Sequence, residues 1–370
     1  MSERKLAHIE VIESLNPIDG ADKIVVAQVL GWQCVVKKGE FKVGDWIIYV
    51  EVDSIMPDKP EFEFLRERKF RIKTIKLRGQ VSQGLVLPLS TLSTDKGKFA
   101  IGKDVTEWLG VTKYLTPSEQ HELKQKEIKA NKLKKFMMRY SWFRRLFLSR
   151  TQKQSFPFWV QKTDEERIQN IPHVITQFAD YDVYVTEKID YQSGTWTSQE
   201  VPKYNGLLGK LLPLKKVLFV VASRNLTTND KNSLYWKIAK KYDLEKYCKS
   251  APGIIIQGEQ GDTNVQGNKY GITEPTMWVF NIIKPNGEFV DYDKMKTFCF
   301  MYKLTPVPLI KKCKLSELGS TVQELVEFSK GNSVINPNIP REGVVVRCVK
   351  NGQKLLSFKV INPDFLLKYE

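Results

Sequence analysis

Short apolar runs cut by turn residues dominate the first 110 positions. His8-Ile9-Glu10-Val11-Ile12 alternates, and the runs Ile24 to Leu30 and Trp32 to Lys37 are separated by Gly31. Trp46 to Val50 follows a Gly44-Asp45 turn, Phe70 to Leu77 alternates basic with apolar residues, and Gln83 to Leu89 closes the region. Five or six short strands with tight turns predict a small all-β barrel, most economically an OB-like one. The basic positions Arg71, Lys73, Lys76 and Arg78 would share a face of one strand and suit a nucleic-acid backbone. The same alternation also describes a solvated surface strand.

From His121 to Ser155 the pattern changes. Leu133, Phe136, Met137, Tyr140, Phe143 and Phe147 recur at mostly helical steps, which predicts an amphipathic helix. The opposite face carries Lys124, Lys126, Lys132, Lys134 and Lys135, and the segment holds a net +9. RNA phosphates, an anionic membrane surface or plain solvent could each face such a comb.

After Phe156-Pro157 the pattern is mixed. Thr163 to Glu166 has the composition of a helix start. Strands are expected at Tyr181 to Glu187, Val217 to Ala222, Gly253 to Gly258, Met277 to Ile283, Gly343 to Cys348 and Leu355 to Ile361. Helices are expected at Ser233 to Tyr247, Tyr292 to Met301 and Thr321 to Ser329. The chain therefore divides into a barrel at 1–112, a basic helical linker at 113–155 and an α+β domain at 156–370.

Composition narrows the class. A chain of 370 residues with 58 Lys+Arg against 42 Asp+Glu carries +16, and a polyanion is the first partner to consider. The longest strictly apolar run, Val217 to Ala222, is far too short to span a bilayer. The first residues lack the apolar core of a signal peptide, so an intracellular protein, cytoplasmic or nuclear, is expected. Cys34, Cys248, Cys299, Cys313 and Cys348 are scattered and predict reduced thiols. His8, His121 and His173 lie near no nucleophile, which speaks against Ser-His or Cys-His catalysis. Nothing demands an oligomer, and a monomer is expected.

One cluster carries chemistry. Val185-Thr186-Glu187-Lys188-Ile189-Asp190 ends a strand in a lysine, with an acid two residues on. Downstream follow Ser223-Arg224-Asn225, Ile256-Gln257-Gly258-Glu259, Val279-Phe280-Asn281, Arg341-Glu342-Gly343 and Ser357-Phe358-Lys359. Singly these are weak: Phe280 could be core, Glu259 part of a turn, and Arg224 with Glu342 a structural ion pair. In this order they resemble the covalent nucleotidyltransferase superfamily of ATP-dependent ligases and RNA capping enzymes. The stretches Lys162 to Asn170, Gly20 to Ile24 and Lys38 to Asp45 narrow the likeness to the fifth family of ATP-dependent RNA ligases. Members place an OB domain before an adenylyltransferase (ATP-grasp-like ligase) domain with antiparallel sheets. The sequence runs 11 residues beyond Lys359, so the C-terminal OB domain of DNA ligases and capping enzymes is not expected.

The resemblance implies an RNA ligase that uses ATP and Mg²⁺ or Mn²⁺ to seal 3′-hydroxyl/5′-phosphate breaks, as in RNA repair. Lys188 would be the nucleophile that takes AMP. Glu187 would help to read adenine, largely through its backbone, Phe280 would stack on it, and Arg224 and Glu259 would hold the ribose. Asp190, Glu259 and Glu342 would gather round the metal through water. Glu342 would also belong to the nucleotide site, Lys359 would contact the α-phosphate and Arg167 a further phosphate. An attacking amine must be neutral, and neighbouring cations, with Lys359 as a candidate, and a metal ion can lower the pKa of Lys188. Two positions depart from the family pattern. Tyr191 stands where a glycine is common, and Ser357 where a first lysine is common. Lys354 is expected on the face opposite Ser357. A DNA ligase, a capping-type guanylyltransferase and a non-catalytic RNA-binding relative are the rival readings.

Overall fold

The structure, a computed structural model, describes residues 5–92, 99–115, 156–204 and 214–369. Two compact units result. The first takes in 169–172 and 363–370 besides its N-terminal part, and the second holds 152–168 and 173–362. Residues 121–155, with the basic helix and Lys124, Lys126, Lys132, Lys134 and Lys135, lie outside the described residues.

Among the described residues the first unit is a small β structure of ten strands. They are β1 (Ala7–Val11), β2 (Ser14–Ile18), β3 (Ala21–Val29), β4 (Trp32–Lys37), β5 (Trp46–Val50), β6 (Ser54–Ile55), β7 (Ile75–Leu77), β8 (Gln80–Ser82), β9 (Leu85–Pro88) and β10 (Thr112–Lys113). They pair in the orders β1-β5-β9, β2-β3-β4, β7-β8 and β10-β6. The apolar runs predicted from sequence supply the core: Ile9, Ile48 and Val50 pack in one cluster, and Trp32, Ile47 and Tyr49 in another. The short helix α1 (Thr106–Leu109) follows. The segment 169–172 is held in this unit: Asn170 accepts from Trp32 Nε1 (2.7 Å) and donates to Glu51 (2.8 Å).

The stretch Phe70 to Leu77 is not one strand. Residues Pro60–Arg68 form a 3₁₀ helix, Lys69 and Phe70 both take positive φ, and only Ile75–Leu77 is extended. The reason is local: Lys69 caps the helix in the left-handed region, and Phe70 to Ile72 then bond to the short Asp53 to Met56 segment. Arg71 is consequently tied to Asp53 at 2.7 Å and packs over the Tyr114 ring at 3.6 Å, serving the domain's own fold.

In the second unit β11 (Glu166–Arg167), β20 (Gln353–Ile361), β19 (Gly343–Lys350), β12 (Asp182–Lys188) and β18 (Leu309–Lys314) form one five-stranded sheet in that order. A second sheet has the order β14 (Lys215–Ser223), β13 (Gln192–Pro202), β15 (Ile255–Gly261), β16 (Thr276–Ile283), β17 (Thr305–Pro306). All pairings are antiparallel except β11–β20 and β16–β17. Tyr184 of the first sheet shares a core with Trp196, Ile256 and Trp278 of the second, so the sheets meet through buried side chains.

Helices α2 (His173–Gln177), α3 (Leu234–Lys241), α4 (Leu244–Ser250), α5 (Tyr292–Met301), α6 (Val322–Ser329) and α7 (Pro363–Tyr369) complete the described elements. The single helix expected over Ser233 to Tyr247 is broken at Asp243, which takes φ +49 between α3 and α4. The helix start expected at Thr163 to Glu166 is absent. Glu166 and Arg167 instead join β20 in parallel, because the backbone there finds its partners on a sheet edge. Among the described residues no helix is long and apolar enough to cross a membrane.

Candidate active site

One face of the five-stranded sheet carries three of the motif residues, Lys188, Lys359 and Arg167. Directly opposed residues on paired strands share a face. The registers therefore set Lys188 beside Gly343 and Ile361, then Thr186 beside Val345, Lys359 and Arg167, then Tyr184 beside Arg347 and Ser357. Lys188, Lys359 and Arg167 come together from three strands separated by up to 192 residues. Sequence alternation places each residue on its strand, and only the pairing makes them neighbours.

Lys188 ends β12, and its Nζ lies 2.5 Å from Glu342 Oε1. Burial by itself would lower the lysine's pKa. The charges of Glu342, Glu259 and Asp190 outweigh it and hold Lys188 as an ammonium, above its ordinary range. This reverses the expectation of cationic neighbours that depress it: its nearest charged partner is a carboxylate. Glu259 on β15 is pushed up to about 8 by burial and by Glu342 and Asp190, against the pull of Lys188. Glu342 is raised too, chiefly by burial.

The cluster thus sets three carboxyl groups round Lys188, with Lys269 paired to one of them, Asp190. Glu342 Oε2 is buried and has no hydrogen-bond partner among the described residues. Both facts fit a site short of positive charge. Among the described residues no group of three His, Cys, Asp or Glu side chains is placed to ligate one metal ion directly. A cation here would meet the carboxylates through its water, which suits an ion that keeps its hydration shell.

The other end of the same face is closed by a buried ion pair. Arg347 bonds Glu165 at 2.9 Å, Ser357 Oγ at 3.1 Å and the Phe280 carbonyl at 2.9 Å. Its guanidinium lies 5.5 Å from the Phe280 ring centre. Phe280 itself is half-buried on β16. Burial would raise Glu165, but Arg347 and Lys354 hold it below the usual carboxylate range.

Lys354 does not point away from Ser357. Val349 faces Lys354 while Cys348 faces Leu356, so Leu355 is an extra residue in β20. That bulge resets the alternation and brings Lys354 to the face of Ser357. The lysine is drawn down mainly by burial and sits 5.0 Å from the Phe289 ring centre. The missing lysine at 357 is therefore surrounded by two cations and one acid that strand periodicity alone could not place there.

The segment leading into β11 runs across both sheets. Gln161 accepts from Gln257, Thr163 bonds Ser193 at 2.9 Å, Asp164 pairs with Arg224, and Glu165 reaches Arg347. Arg224 thus pairs with Asp164 and not with Glu342. Sequence reading missed Glu165 and Arg347; an arginine inside the apolar run Val344 to Val349 was the available signal.

Glu187 points to the opposite face. Its Oε2 accepts from Val334 N–H at 2.8 Å, its own N–H donates to the Pro308 carbonyl, and burial raises its pKa. Tyr191 is buried, stacked on Trp278, and its hydroxyl donates to Asn268 at 3.1 Å. A Cβ on Gly261 would meet this ring at 2.5 Å, so the glycine missing after Asp190 reappears across the sheet. Asp190 pairs with Lys269, a residue not singled out from sequence. Lys73 is half-buried in the first unit.

Comparison with known proteins agrees with this architecture. A family model described as an OB-fold domain matches residues 6–89, and one described as RNA ligase matches residues 181–361. No curated protein matched by sequence. Among solved structures, Naegleria gruberi RNA ligase with pyrophosphate has a TM-score of 0.76 at 25% identity, covering 99% of each chain. A substituted form of that ligase with ATP and manganese gives 0.76 and 25%, again over 99% of each chain. A ligand-free substituted form gives 0.77 and 26% over 100% of this chain and 99% of that one. The chain thus carries an OB-fold domain, matched over residues 6–89, and an RNA ligase domain, matched over residues 181–361.

Proposed function

We propose that this chain is an ATP-dependent RNA ligase that seals a 3′-hydroxyl to a 5′-phosphate through a covalent lysyl–AMP at Lys188, in the service of RNA repair. The observation that carries the reading is the lysine itself. It ends a strand, its Nζ is held by Glu342, and Lys359 and Arg167 stand in the next row of the same sheet face.

Three displacements at phosphorus follow. Lys188 gives up its proton and attacks the α-phosphate of ATP, and pyrophosphate leaves. The 5′-phosphate of an RNA end attacks the lysyl–AMP phosphorus, and the lysine leaves. The 3′-hydroxyl then attacks the adenylylated end, and AMP leaves. Such reactions depend on positioning and charge neutralisation. Lys359 and Arg167 supply positive charge to the phosphates. Phe280 offers a ring to the adenine, Glu187, whose side chain is turned away, contributes to reading it largely through its backbone, and Arg224 with Glu259 holds the ribose.

A hydrated Mg²⁺ or Mn²⁺ held by Asp190, Glu259 and Glu342 would neutralise phosphate charge and relieve the anionic field that keeps Lys188 protonated. The excess of carboxylates and the partnerless Glu342 oxygen support that reading. Naegleria gruberi RNA ligase, solved with ATP and manganese, supports the choice of nucleotide and ion. The lysines at 124, 126, 132, 134 and 135, with Lys73, would contact RNA phosphates. Arg71 has less to offer, being committed to Asp53 and Tyr114.

The test is transfer of label from α-labelled ATP or GTP, with a divalent metal, followed by a denaturing gel. Label from ATP, lost in Lys188→Ala, is expected. Label from GTP would mark a capping-type enzyme, and no label in any metal would mark a non-catalytic relative. Nicked duplexes with RNA or DNA on the 3′-hydroxyl side then separate an RNA ligase from a DNA ligase.

A further inference from the structure

Asp190 shares its site with two other carboxyl groups. Glu259 and Glu342 lie within electrostatic reach, and Lys188 is already bonded to Glu342. A third carboxylate so placed needs a cation of its own to stay. Lys269 provides it: its Nζ pairs with Asp190 Oδ2, and both side chains are about three-quarters shielded from solvent.

This pairing is built into the backbone. The Asp190 N–H donates to the Tyr270 hydroxyl at 2.9 Å, and the Tyr191 hydroxyl donates to Asn268 at 3.1 Å. Asn336 Nδ2 donates to the Lys269 carbonyl at 3.0 Å. Tyr191 is clamped between Trp278 and the bare face of Gly261. The segment 268–270 is thus fastened on both sides of Lys269, so the ammonium is delivered to Asp190 and does not merely wander there. The tyrosine that departs from the family pattern is one of the fasteners.

We infer that Lys269 is a resident counter-cation for Asp190: a positioning residue that holds the carboxylate in the acid cluster before the divalent ion binds, and that the ion displaces. This rests on the reading of Asp190 as a carboxylate that holds the hydrated metal. Two cations cannot neutralise the same carboxylate fully, so the lysine and the ion compete for it.

The test uses Mn²⁺ alone, titrated into the full chain at constant ionic strength and followed by the electron paramagnetic resonance signal of the free ion. Lys269→Met is expected to bind Mn²⁺ at least about three-fold more tightly than wild type, and Lys269→Arg to bind as wild type does. In an Asp190→Asn background the gain from Lys269→Met should vanish. Unchanged or weaker binding by Lys269→Met overturns the inference, as does a gain that persists without the Asp190 charge, which would be a bulk-charge effect. Asp190→Asn alone distinguishes the premise: if it leaves Mn²⁺ affinity at the wild-type value, Asp190 does not hold the metal, and the inference falls with that reading. Mn²⁺ that binds neither wild type nor Lys269→Met also overturns it.

Discussion

At the scale of single residues, the buried charges of this chain are bound up with one another. Glu165 and Arg347 form one such pair, with side chains 10% and 3% exposed. Glu165→Gln leaves the guanidinium without its counter-charge, and a loss of about 3–5 kcal/mol in unfolding free energy is expected from urea denaturation. A loss below about 1 kcal/mol would mean that Ser357 and the Phe280 carbonyl suffice. His8 is a second case. Burial opposes its charge, but hydrogen bonds to Glu10 and Glu51 raise its pKa to about 9 from an unfolded value near 6.5. A raised pKa stabilises the fold fully below about pH 6.5, and this contribution fades as pH climbs through about 9. Wild type should therefore lose up to about 3 kcal/mol across that window. His8→Gln should flatten the slope, and a wild-type urea midpoint that does not fall over the same range would contradict the assignment. Neither pair was legible in the sequence. His8 and Glu10 are two residues apart on one strand, but Glu51 and Arg347 arrive from elsewhere.

At the scale of elements, strand periodicity was readable wherever an apolar run was long enough to be buried on both faces. The run Met277 to Ile283 and the helix Tyr292–Met301 came out at or within a residue of their observed bounds. It failed where the backbone makes a local choice. Lys69 and Phe70 turn with positive φ, Asp243 breaks one helix into two, and Leu355 bulges out of β20. Each is a matter of one residue's φ/ψ or of pairing across strands, to which a count of apolar positions is blind. Close approach of strands has the same character. A Cβ on Gly343 would stand 2.2 Å from the Val360 carbonyl oxygen, next to Glu342 and opposite Lys188. Gly343→Ala should force β19 and β20 apart, cost about 1–3 kcal/mol in stability and depress lysyl adenylation in the fraction that stays folded. Full adenylation per folded molecule would show that the acid cluster tolerates the shift.

At the scale of the whole molecule, charge is uneven: +9 of the net +16 falls in residues 121–155. If that segment grips RNA, reversing Lys124, Lys126 and Lys132 to glutamate should reduce RNA sealing about tenfold or more at 0.1 M salt and weaken its salt dependence. Labelling of Lys188 by ATP should be spared, and equal loss of both activities would count against the division of labour. The order of motifs, the β-rich start and the site of the excess charge were determined by sequence alone, because each depends on residue identity and spacing along the chain. Which charges meet was decided only by the tertiary structure. Lys359 was the expected neighbour of Lys188 and Glu342 is the residue that Lys188 bonds, Arg224 pairs with Asp164, and Lys354 lies beside Ser357. Electrostatic energy depends on distance in space and on burial, and both are set by strand register and sheet packing between residues far apart in sequence.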